Sequence, residues 1–241
     1  MKTAILSDVH ANLEALKAVL AVAAERRVGR ILCLGDVVGY GASPNECLNL
    51  IRDHGEMVLL GNHDSAASGG GEVARFNPNA KAAALWTTKV LTPENRDFLK
   101  GLPLSRHLEP YFYVHASPAA PRDWEYIFDK FDAEPQFQFF MEHACFIGHT
   151  HQPAIFERSS SGAASLPPTQ LRFDPVHRYI VNVGSVGQPR DRDPRACFVV
   201  LDEPEGRIEY VRVPYDIVTA QEKILAAGLP PVLASRLTNG E

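Results

Sequence analysis

Five apolar runs in this sequence each end in a polar side chain of a kind that can bind a metal ion. Read along the chain, the residues that close these runs are Asp8, Asp36, Asn62, His115 and His149. Short apolar runs bounded by polar residues are typical of buried strands, and ligands of open α/β sheets bind at the carboxyl ends of the strands. The sequence therefore predicts a sheet that gathers these five side chains along one edge.

Residues 1–65 alternate between strand patterns and helix patterns. Strands are predicted at Lys2–Ser7, Arg30–Asp36 and Met57–Asn62, and the intervening helices at Asn12–Arg27 and Pro44–Arg52. Strands joined in this way pair in parallel, because each helical crossover returns the chain to the same end of the sheet. We therefore expect the first 65 residues to build a parallel sheet.

Two capping boxes predict where helices begin. Ser43 and Glu46 form one, and Thr219 and Glu222 form the other. This spacing lets the two side chains satisfy main-chain amides at a helix start. Between the two boxes, the small and Gly-rich stretch Ser65–Gly71 predicts a mobile loop.

The pattern changes after this loop. Helical spacing from about Asn79 to Leu102 predicts a helical insertion at about residues 66–103. Farther along, Ser159–Ser165 is predicted as a polar turn. Strands of antiparallel character are predicted after it, at Arg178–Gly184, Ala196–Asp202 and Arg207–Val213.

The composition is that of an ordinary globular protein. The chain has 241 residues, of which 45% are hydrophobic, and a net charge of −5. We expect residues 1–241 to form a single domain with a sizeable core. The acidic balance disfavours a nucleic-acid coat or a membrane-surface protein, and no apolar stretch is long enough to span a bilayer. With no signal peptide pattern and four cysteines without a CxxC pair, the sequence predicts reduced core thiols in a cytoplasmic protein.

Further polar residues lie beside the five strand ends. They are His10, His63, Asp64 and His151. Taken singly, such residues also start helices, close turns or sit satisfied in cores, but it is improbable that all five clusters do so together. Carboxylate, amide and imidazole donors suit first-row ions such as Mn, Fe or Zn. A structural zinc site would favour thiolates, and no cysteine is placed to supply them.

The candidate donors outnumber the ligands that one ion needs. They divide into two sites that share one carboxylate as a bridge, and two ions ~3.5–4 Å apart are a common device for displacement at phosphorus. Two carboxylates against two divalent cations leave the site net positive, which suits a phosphate anion. We therefore expect two-metal chemistry on a phosphate ester.

The ordered motifs SDVH, GDVV, GNHD, VH and GHTH, together with the late loop NVGSVGQPRD, resemble the calcineurin-like metallophosphoesterases. The resemblance spans most of the chain and is strongest to small single-domain bacterial and archaeal phosphodiesterase-like members. It implies an α/β (α+β) fold, a four-layer αββα double β-sandwich flanked by helices.

The resemblance also implies a role for each motif residue. One metal would be held by Asp8, His10 and His151, and the other by Asn62, His115 and His149, with Asp36 as the bridge. His63 would protonate the leaving oxygen or stabilise the phosphoryl charge, and Asp64 would orient it.

Three other residues are weaker candidates for substrate contacts. Asn12 is a candidate phosphate contact or a helix cap, and Tyr40 a candidate stacking group or a cover for the edge of the core. Arg190 is a candidate phosphate contact or a partner in a surface ion pair with Asp191 or Asp193.

Taken together, the sequence predicts a dinuclear metal-dependent phosphoesterase that acts by attack of a metal-bridging hydroxide. A phosphodiesterase acting on a small phosphate ester is favoured, and a polymeric nucleic acid is disfavoured as substrate. The alternatives are a phosphomonoesterase or protein phosphatase of the same fold and a catalytically weak metal-binding scaffold in a protein complex. Nothing in the sequence indicates the oligomeric state.

Overall fold

The structure is a computed structural model that describes residues 1–71 and 73–241. Within these ranges the strands form two six-stranded mixed sheets. The first sheet contains, in spatial order, β3 (Gly55–Val58), β2 (Arg30–Cys33), β1 (Lys2–Leu6), β11 (Ala196–Asp202), β12 (Arg207–Val213) and β9 (Gln170–Arg172). The second contains β4 (Ser105–Leu108), β5 (Tyr111–Val114), β6 (Ala144–Ile147), β10 (Arg178–Asn182), β7 (Ala154–Ser159) and β8 (Gly162–Leu166).

Helices cover the outer faces of the two sheets. In chain order they are α1 (Leu13–Glu25), α2 (Pro44–His54), α3 (Asn62–Ser68), α4 (Pro78–Val90), α5 (Pro93–Lys100), α6 (Lys130–Gln136), α7 (Ile217–Ala226) and α8 (Pro231–Asn239). None of the helices in the described residues has both the length and the apolar character needed to cross a membrane.

Side-chain alternation along the buried strands produces the layers. In β1, Ala4 and Leu6 pack against α1 and α2, whereas Ile5 points the other way into the core between the sheets. In β6, Phe146 lies in that same central core, and Cys145 faces the cluster around α6. Because successive side chains of a strand point to opposite faces, each central strand is apolar on both sides. The predicted αββα double sandwich is confirmed.

The strand pairings agree with the sequence patterns. β1 pairs in parallel with β2, and β2 pairs in parallel with β3. β11 and β12 pair antiparallel along their whole length. In the second sheet, β6 pairs in parallel with both β5 and β10.

Several local predictions were wrong. Ser65–Gly71, predicted as a mobile loop, begins inside α3, which ends at Ser68 and is capped by Gly69 with a left-handed φ of 94°. Ser159–Ser165, predicted as a turn, contains the turn of a β-hairpin but also the end of β7 and most of β8. Both segments are rich in small residues, and tertiary pairing overrides their weak local preferences.

The capping predictions also need correction. Helix α2 follows Ser43, but that side chain makes no capping hydrogen bond. Helix α7 begins earlier than predicted, because the carboxylate of Asp216 caps it by accepting from the Thr219 amide at 3.0 Å. The predicted insertion at 66–103 contains the last three residues of α3 and all of α4 and α5, although Glu72 lies outside the described residues. All four cysteines are buried and free.

A half-buried tyrosine connects the two sheets. Tyr210 of β12 directs its hydroxyl at two carbonyl oxygens of the second sheet, that of Ala154 at 2.9 Å and that of Asn182 at 2.7 Å. Tyr113 of β5 is fully buried, but its hydroxyl has no hydrogen-bond partner among the described residues. The two tyrosines therefore form a natural pair for comparison.

We expect Tyr210→Phe to lower the free energy of unfolding by about 1–3 kcal/mol, because it leaves buried carbonyl groups without a donor. Tyr113→Phe should be neutral or slightly stabilising, because it removes a hydroxyl that is buried without a partner. Urea unfolding of both variants against the wild type measures the difference. Equal effects of the two substitutions would contradict the assigned role of Tyr210.

Candidate metal centre

Left-handed backbone turns aim the predicted ligands at one another. Five of the predicted ligands have positive φ values: Asp8 (55°), His10 (50°), Asp36 (53°), His149 (68°) and His151 (62°). Non-glycine residues rarely adopt this conformation, and it concentrates at functional sites because the surrounding structure must compensate its cost. The turns after β1, β2 and β6 therefore hold strained residues where their side chains converge.

Two glycines make room for the carboxylates of the centre. A Cβ atom on Gly61 would lie 2.1 Å from Oδ1 of Asp36. A Cβ atom on Gly148 would lie 2.5 Å from Oδ2 of Asp8. Both contacts are too short for any side chain, so the glycines of the GNHD and GHTH motifs are required by the approach of the backbone to these carboxylates.

Each carboxylate has one oxygen fixed by a main-chain amide. The His149 amide donates to Oδ2 of Asp8 at 3.0 Å, and the His63 amide donates to Oδ1 of Asp36 at 2.8 Å. The opposite oxygens, Oδ1 of Asp8 and Oδ2 of Asp36, face the imidazoles. The orientation of both carboxylates is therefore set before any ion binds.

The first donor group contains Asp8, His10 and His151, all buried, with their candidate ligand atoms within 4.8 Å of one another. Oδ1 of Asp8 lies 3.3 Å from Nε2 of His151 and 3.7 Å from Nε2 of His10. The two Nε2 atoms are 2.9 Å apart. The sequence-predicted first ligand set is thus brought together.

The second donor group contains Asp36, His115 and His149, with the same buried and clustered geometry. Oδ2 of Asp36 lies 3.4 Å from Nε2 of His115 and 3.7 Å from Nε2 of His10, which belongs to the first group. This oxygen therefore faces an imidazole of each group. Asn62 is the predicted amide donor for this second group.

Main-chain carbonyl groups determine which nitrogen of each histidine is free to bind a metal. A carbonyl oxygen only accepts hydrogen bonds, so a ring nitrogen that contacts one must carry the proton. The Nδ1 atoms contact carbonyl oxygens as follows: His10 with Val38 at 3.0 Å, His115 with Leu34 at 3.0 Å, and His151 with Gln188 at 2.7 Å.

His149 is held the other way round. Its Nε2 donates to the carbonyl oxygen of Trp124 at 2.9 Å, so its Nδ1 carries the lone pair. Three imidazoles therefore offer Nε2 to the centre and His149 offers Nδ1. Such carbonyl contacts are the usual means of orienting metal-binding histidines.

Unpartnered atoms show that this arrangement fits metal ions. With Nδ1 protonated, the Nε2 atoms of His10 and His151 direct lone pairs at each other across 2.9 Å, which is repulsive unless a cation lies between them. Oδ1 of Asp8, Oδ1 of Asn62 and Nε2 of His115 are buried without a hydrogen-bond partner in the described part of the chain. Buried polar atoms are rarely left unsatisfied, and two cations would satisfy all of these.

The imidazoles are electrostatically prepared to act as ligands. Burial lowers the pKa of His149 to about 4 and the pKa of His151 to about 3, so both are neutral at pH 7, as a metal ligand must be. Burial would raise the pKa of Asp8, but His151 and the other nearby histidines outweigh it and hold that pKa well below its usual range. The carboxylate is therefore ionised.

In the metal-free centre, the pKa of His115 is shifted in the opposite direction to those of His149 and His151. Burial by itself would lower the pKa of His115, but the adjacent Asp36 carboxylate outweighs this effect, and Asp8 adds to it. The result is a pKa of about 9. The metal-free centre therefore holds a proton at His115 at neutral pH.

His63 lies next to the donor groups but outside them. Its ring packs against Tyr40, with ring centroids 4.4 Å apart, and against Phe76 at 4.7 Å. Burial holds the pKa of His63 well below its usual range, although Asp36 opposes this. His63 is therefore a neutral imidazole at pH 7.

The predicted role of Asp64 as the residue that orients His63 is wrong. Its Oδ1 accepts from the Val38 amide at 3.1 Å and its Oδ2 from the Gly61 amide at 3.2 Å, whereas Nδ1 of His63 has no partner among the described residues. Asp64 instead ties the turn after β2 to the start of α3. Packing against Tyr40 and Phe76 positions the His63 ring.

Asn12 takes the helix-capping role that was predicted as one of its two alternatives. Its Oδ1 caps α1 by accepting from the Ala15 amide at 3.1 Å, and its Nδ2 donates to the Gly187 carbonyl at 2.9 Å. The contact with phosphate stays a prediction.

Tyr40 and Arg190 lie beside the centre. The Tyr40 ring is 4.7 Å from the His10 ring, and it also belongs to an apolar cluster with residues of α4, α7 and α8. It therefore covers the edge of the core and lines the site at once. Arg190 places its guanidinium carbon 5.5 Å from the Tyr40 ring centroid.

Sequence reasoning missed the aromatic side of the site. Tyr126 stacks on His149 with ring centroids 4.2 Å apart, and Phe128 stacks on Tyr126 at 5.2 Å. Trp124 and Tyr126 line a cavity of about 320 Å³ that reaches Asn62 and His149. The signal was the alternation of aromatic residues in the stretch WEYIF, which lies on no predicted element.

Comparison with known proteins supports the same chemistry. The family model of the calcineurin-like phosphoesterase superfamily domain matches residues 1–206. The uncharacterized protein MJ0912 of Methanocaldococcus jannaschii is 42% identical over 241 residues, which cover 98% of this chain and 97% of that protein. The crystal structure of a metallophosphoesterase from Sphaerobacter thermophilus superposes with a TM-score of 0.89 at 40% identity. The match covers 100% of this chain and 99% of the chain in that structure.

A more distant structure agrees in fold alone. The hypothetical protein PH1004 from Pyrococcus horikoshii OT3 has a TM-score of 0.81 at 20% identity, over 100% of this chain and 98% of that one. The family match and the two relatives of 40% identity or more extend over the residues that form both donor groups. This chain therefore belongs to the calcineurin-like phosphoesterase superfamily, as a metal-dependent phosphoesterase.

Proposed function

We propose that the protein hydrolyses phosphodiesters at a centre of two metal ions. Asp8, His10 and His151 would hold one ion, and Asn62, His115 and His149 would hold the other, with Asp36 shared between them. The observation that carries this proposal is the convergence of buried, unpartnered donor atoms into two groups, with Oδ2 of Asp36 between them.

The donor set favours particular ions and a particular kind of catalysis. Mixed carboxylate, amide and imidazole donors suit Mn, Fe or Zn. When bound, such ions supply Lewis-acid stabilisation of phosphoryl oxygens and lower the pKa of a water molecule. The chain itself contributes the fixed orientation of the donors, because each imidazole and each carboxylate is held by a main-chain group.

His63 acts on the substrate as a hydrogen-bond donor. Because burial keeps its imidazole neutral at pH 7, it carries a single N–H rather than the additional proton that a strong general acid needs. A neutral N–H directed at a phosphoryl oxygen stabilises the charge that develops there. Of the two roles expected for His63, stabilisation of phosphoryl charge is the better supported.

The shape of the site favours a diester. The cavity of about 320 Å³ at Tyr126 adjoins a second cavity of about 280 Å³, and both are bordered by Asn62, Phe76 and Trp124. A phosphodiester has two organic groups attached to one phosphorus, and the two cavities offer one compartment to each. A phosphomonoester would leave one compartment without an occupant. We infer a small diester, since each compartment is of ligand size.

The metal content of variants tests the two donor groups. Wild-type protein loaded with Mn should retain about two ions per chain, whereas His151→Ala and His115→Ala should each retain about one, because each removes a donor from one group. Asp36→Ala should retain neither tightly, because both ions lose a ligand. Elemental analysis after gel filtration measures the ratio of metal to protein.

His143→Ala, which changes a half-exposed histidine away from the centre, is the control for these variants. A wild type with a single ion would contradict the proposal.

Metal binding should release a proton near neutral pH. His115 has a pKa of about 9 in the metal-free protein, and an ion can bind Nε2 only after that proton leaves. The apparent affinity for the metal should therefore rise about tenfold per pH unit from pH 7 towards 9 and then level off. Calorimetric titration in two buffers of different ionisation enthalpy measures the proton count. Binding that is independent of pH over this interval would contradict the assignment.

Hydrolysis of bis(4-nitrophenyl) phosphate should require added metal and exceed that of 4-nitrophenyl phosphate in kcat/KM. His63→Ala should lower the diester rate by roughly 10²–10³-fold, as removal of one charge-stabilising donor does in other enzymes, while the metal content stays at the wild-type level. His107→Ala, at an exposed position on β4, is the matched control.

The leaving group distinguishes the two roles of His63. If its N–H stabilises phosphoryl oxygens, the loss in His63→Ala should be similar for 4-nitrophenyl and phenyl diesters. A far larger loss for the phenyl diester would show general acid catalysis instead. Faster hydrolysis of the monoester would overturn the diesterase proposal, and two bound ions without any hydrolysis would favour a scaffold.

A further inference from the structure

Two arginines outside the metal centre lie side by side without an acidic partner. Arg190 and Arg236 both donate to Oε1 of Gln188, at 2.8 and 3.3 Å. Within the described residues neither forms an ion pair, and the Nε atom of each is buried without a partner. Nearby arginines behave differently, since Arg195 pairs with Asp193.

The pair is attached to the rim of the metal centre. The Arg190 amide donates to the carbonyl oxygen of the predicted ligand His151 at 3.1 Å. The Arg190 guanidinium lies over the Tyr40 ring, which also contacts the imidazoles of His10 and His63. The guanidinium therefore shares an aromatic neighbour with the centre.

Helix α8 brings the second arginine to the same place. Leu233 and Leu237 of α8 pack into the apolar cluster that includes Tyr40, which turns Arg236 towards Gln188. Both arginines are half-buried rather than fully exposed. The position of Arg236 thus depends on the packing of the helix and not on a flexible side chain alone.

The charges of the pair are not balanced locally. Burial lowers the pKa of Arg236, and the neighbouring Arg190 lowers it further, with only a smaller opposing effect from Tyr40 and Glu241. Gln188 is neutral and cannot compensate two positive charges. Half-buried charges without a counter-charge are costly, so the arrangement is that of a site whose counter-charge is a ligand.

We infer that Arg190 and Arg236 form a second anion subsite, which binds a phosphate group of the substrate other than the one that is hydrolysed. The planar guanidinium offers paired N–H donors that match phosphate oxygens. The substrate class is then a phosphate ester that carries a further phosphate on one of its groups. This inference rests on the proposed function and adds a specificity-determining residue, Arg236, on the last helix.

Binding of inorganic pyrophosphate to the chelator-treated protein tests the subsite without any catalytic step. Wild type should bind pyrophosphate in calorimetric titration, and Arg190→Gln and Arg236→Gln should each weaken it about tenfold, as loss of a charge-assisted contact does. Arg236→Lys keeps the positive charge but loses the paired N–H donors of the guanidinium, so its affinity for pyrophosphate should lie between those of the wild type and Arg236→Gln. Arg195→Gln removes a neighbouring surface charge and should leave binding at the wild-type level. Thermal melts identify any variant that fails to fold.

Competition with substrate tests whether the anion is part of the substrate. In the Mn-loaded enzyme, pyrophosphate should inhibit hydrolysis of bis(4-nitrophenyl) phosphate competitively and more strongly than phosphate does. In Arg236→Gln, the inhibition constant of phosphate divided by that of pyrophosphate should fall towards one.

Three outcomes would overturn the inference. The first is an equal affinity for pyrophosphate in wild type and Arg236→Gln. The second is non-competitive inhibition by pyrophosphate, which would indicate a separate effector site. The third is no binding of pyrophosphate to the metal-free wild type. A protein that hydrolyses no ester but binds pyrophosphate through both arginines would instead refute the proposed function and leave the subsite standing.

Discussion

Lone pairs that face one another inside the protein are the constraint on which the rest of the structure depends. Nε2 of His10 and Nε2 of His151 lie 2.9 Å apart, and both carry lone pairs when the imidazoles are neutral, because the other nitrogen of each ring donates to a carbonyl group. Ordinary packing would push such atoms apart. The backbone of the two sheets holds them together, and a cation bound between them would convert the repulsion into binding energy.

The cost of this arrangement is distributed over the whole fold. Left-handed turns at the strand ends, glycines that allow carboxylates to approach the backbone, and amides that each hold one carboxylate oxygen all serve to fix donors before an ion arrives. The parallel strands of both sheets deliver these turns to one edge. A stable double sandwich with an extensive apolar core supports this local strain, as is usual for functional sites.

The strands and most of the donor positions could be predicted because they share one signal, an apolar run that ends in Asp, Asn or His. Other features carried no such signal. Strand β4 has the polar sequence SRHL and lies at a sheet edge, where pairing rather than composition decides the conformation. The role of Asp64 was misread because a sequence shows which polar residues are neighbours along the chain and not which amides they reach in space. Arg236 lies 48 residues from Gln188 along the chain, so only the folded structure could join them.

The hydrogen bond from His149 to the carbonyl oxygen of Trp124 has a consequence for how such a protein can diversify. The segment that forms one wall of the cleft is hydrogen-bonded to His149, a proposed metal ligand, and Tyr126 stacks on the same ring. By thermodynamic linkage, a change in this wall that alters the position of His149 must alter the affinity for the metal, and metal binding must in turn affect the conformation of the wall. New substrate preferences are therefore more accessible through the side of the cleft formed by helix α4, which makes no hydrogen bond to a proposed metal ligand among the described residues. The two walls of one cleft are free to evolve at different rates.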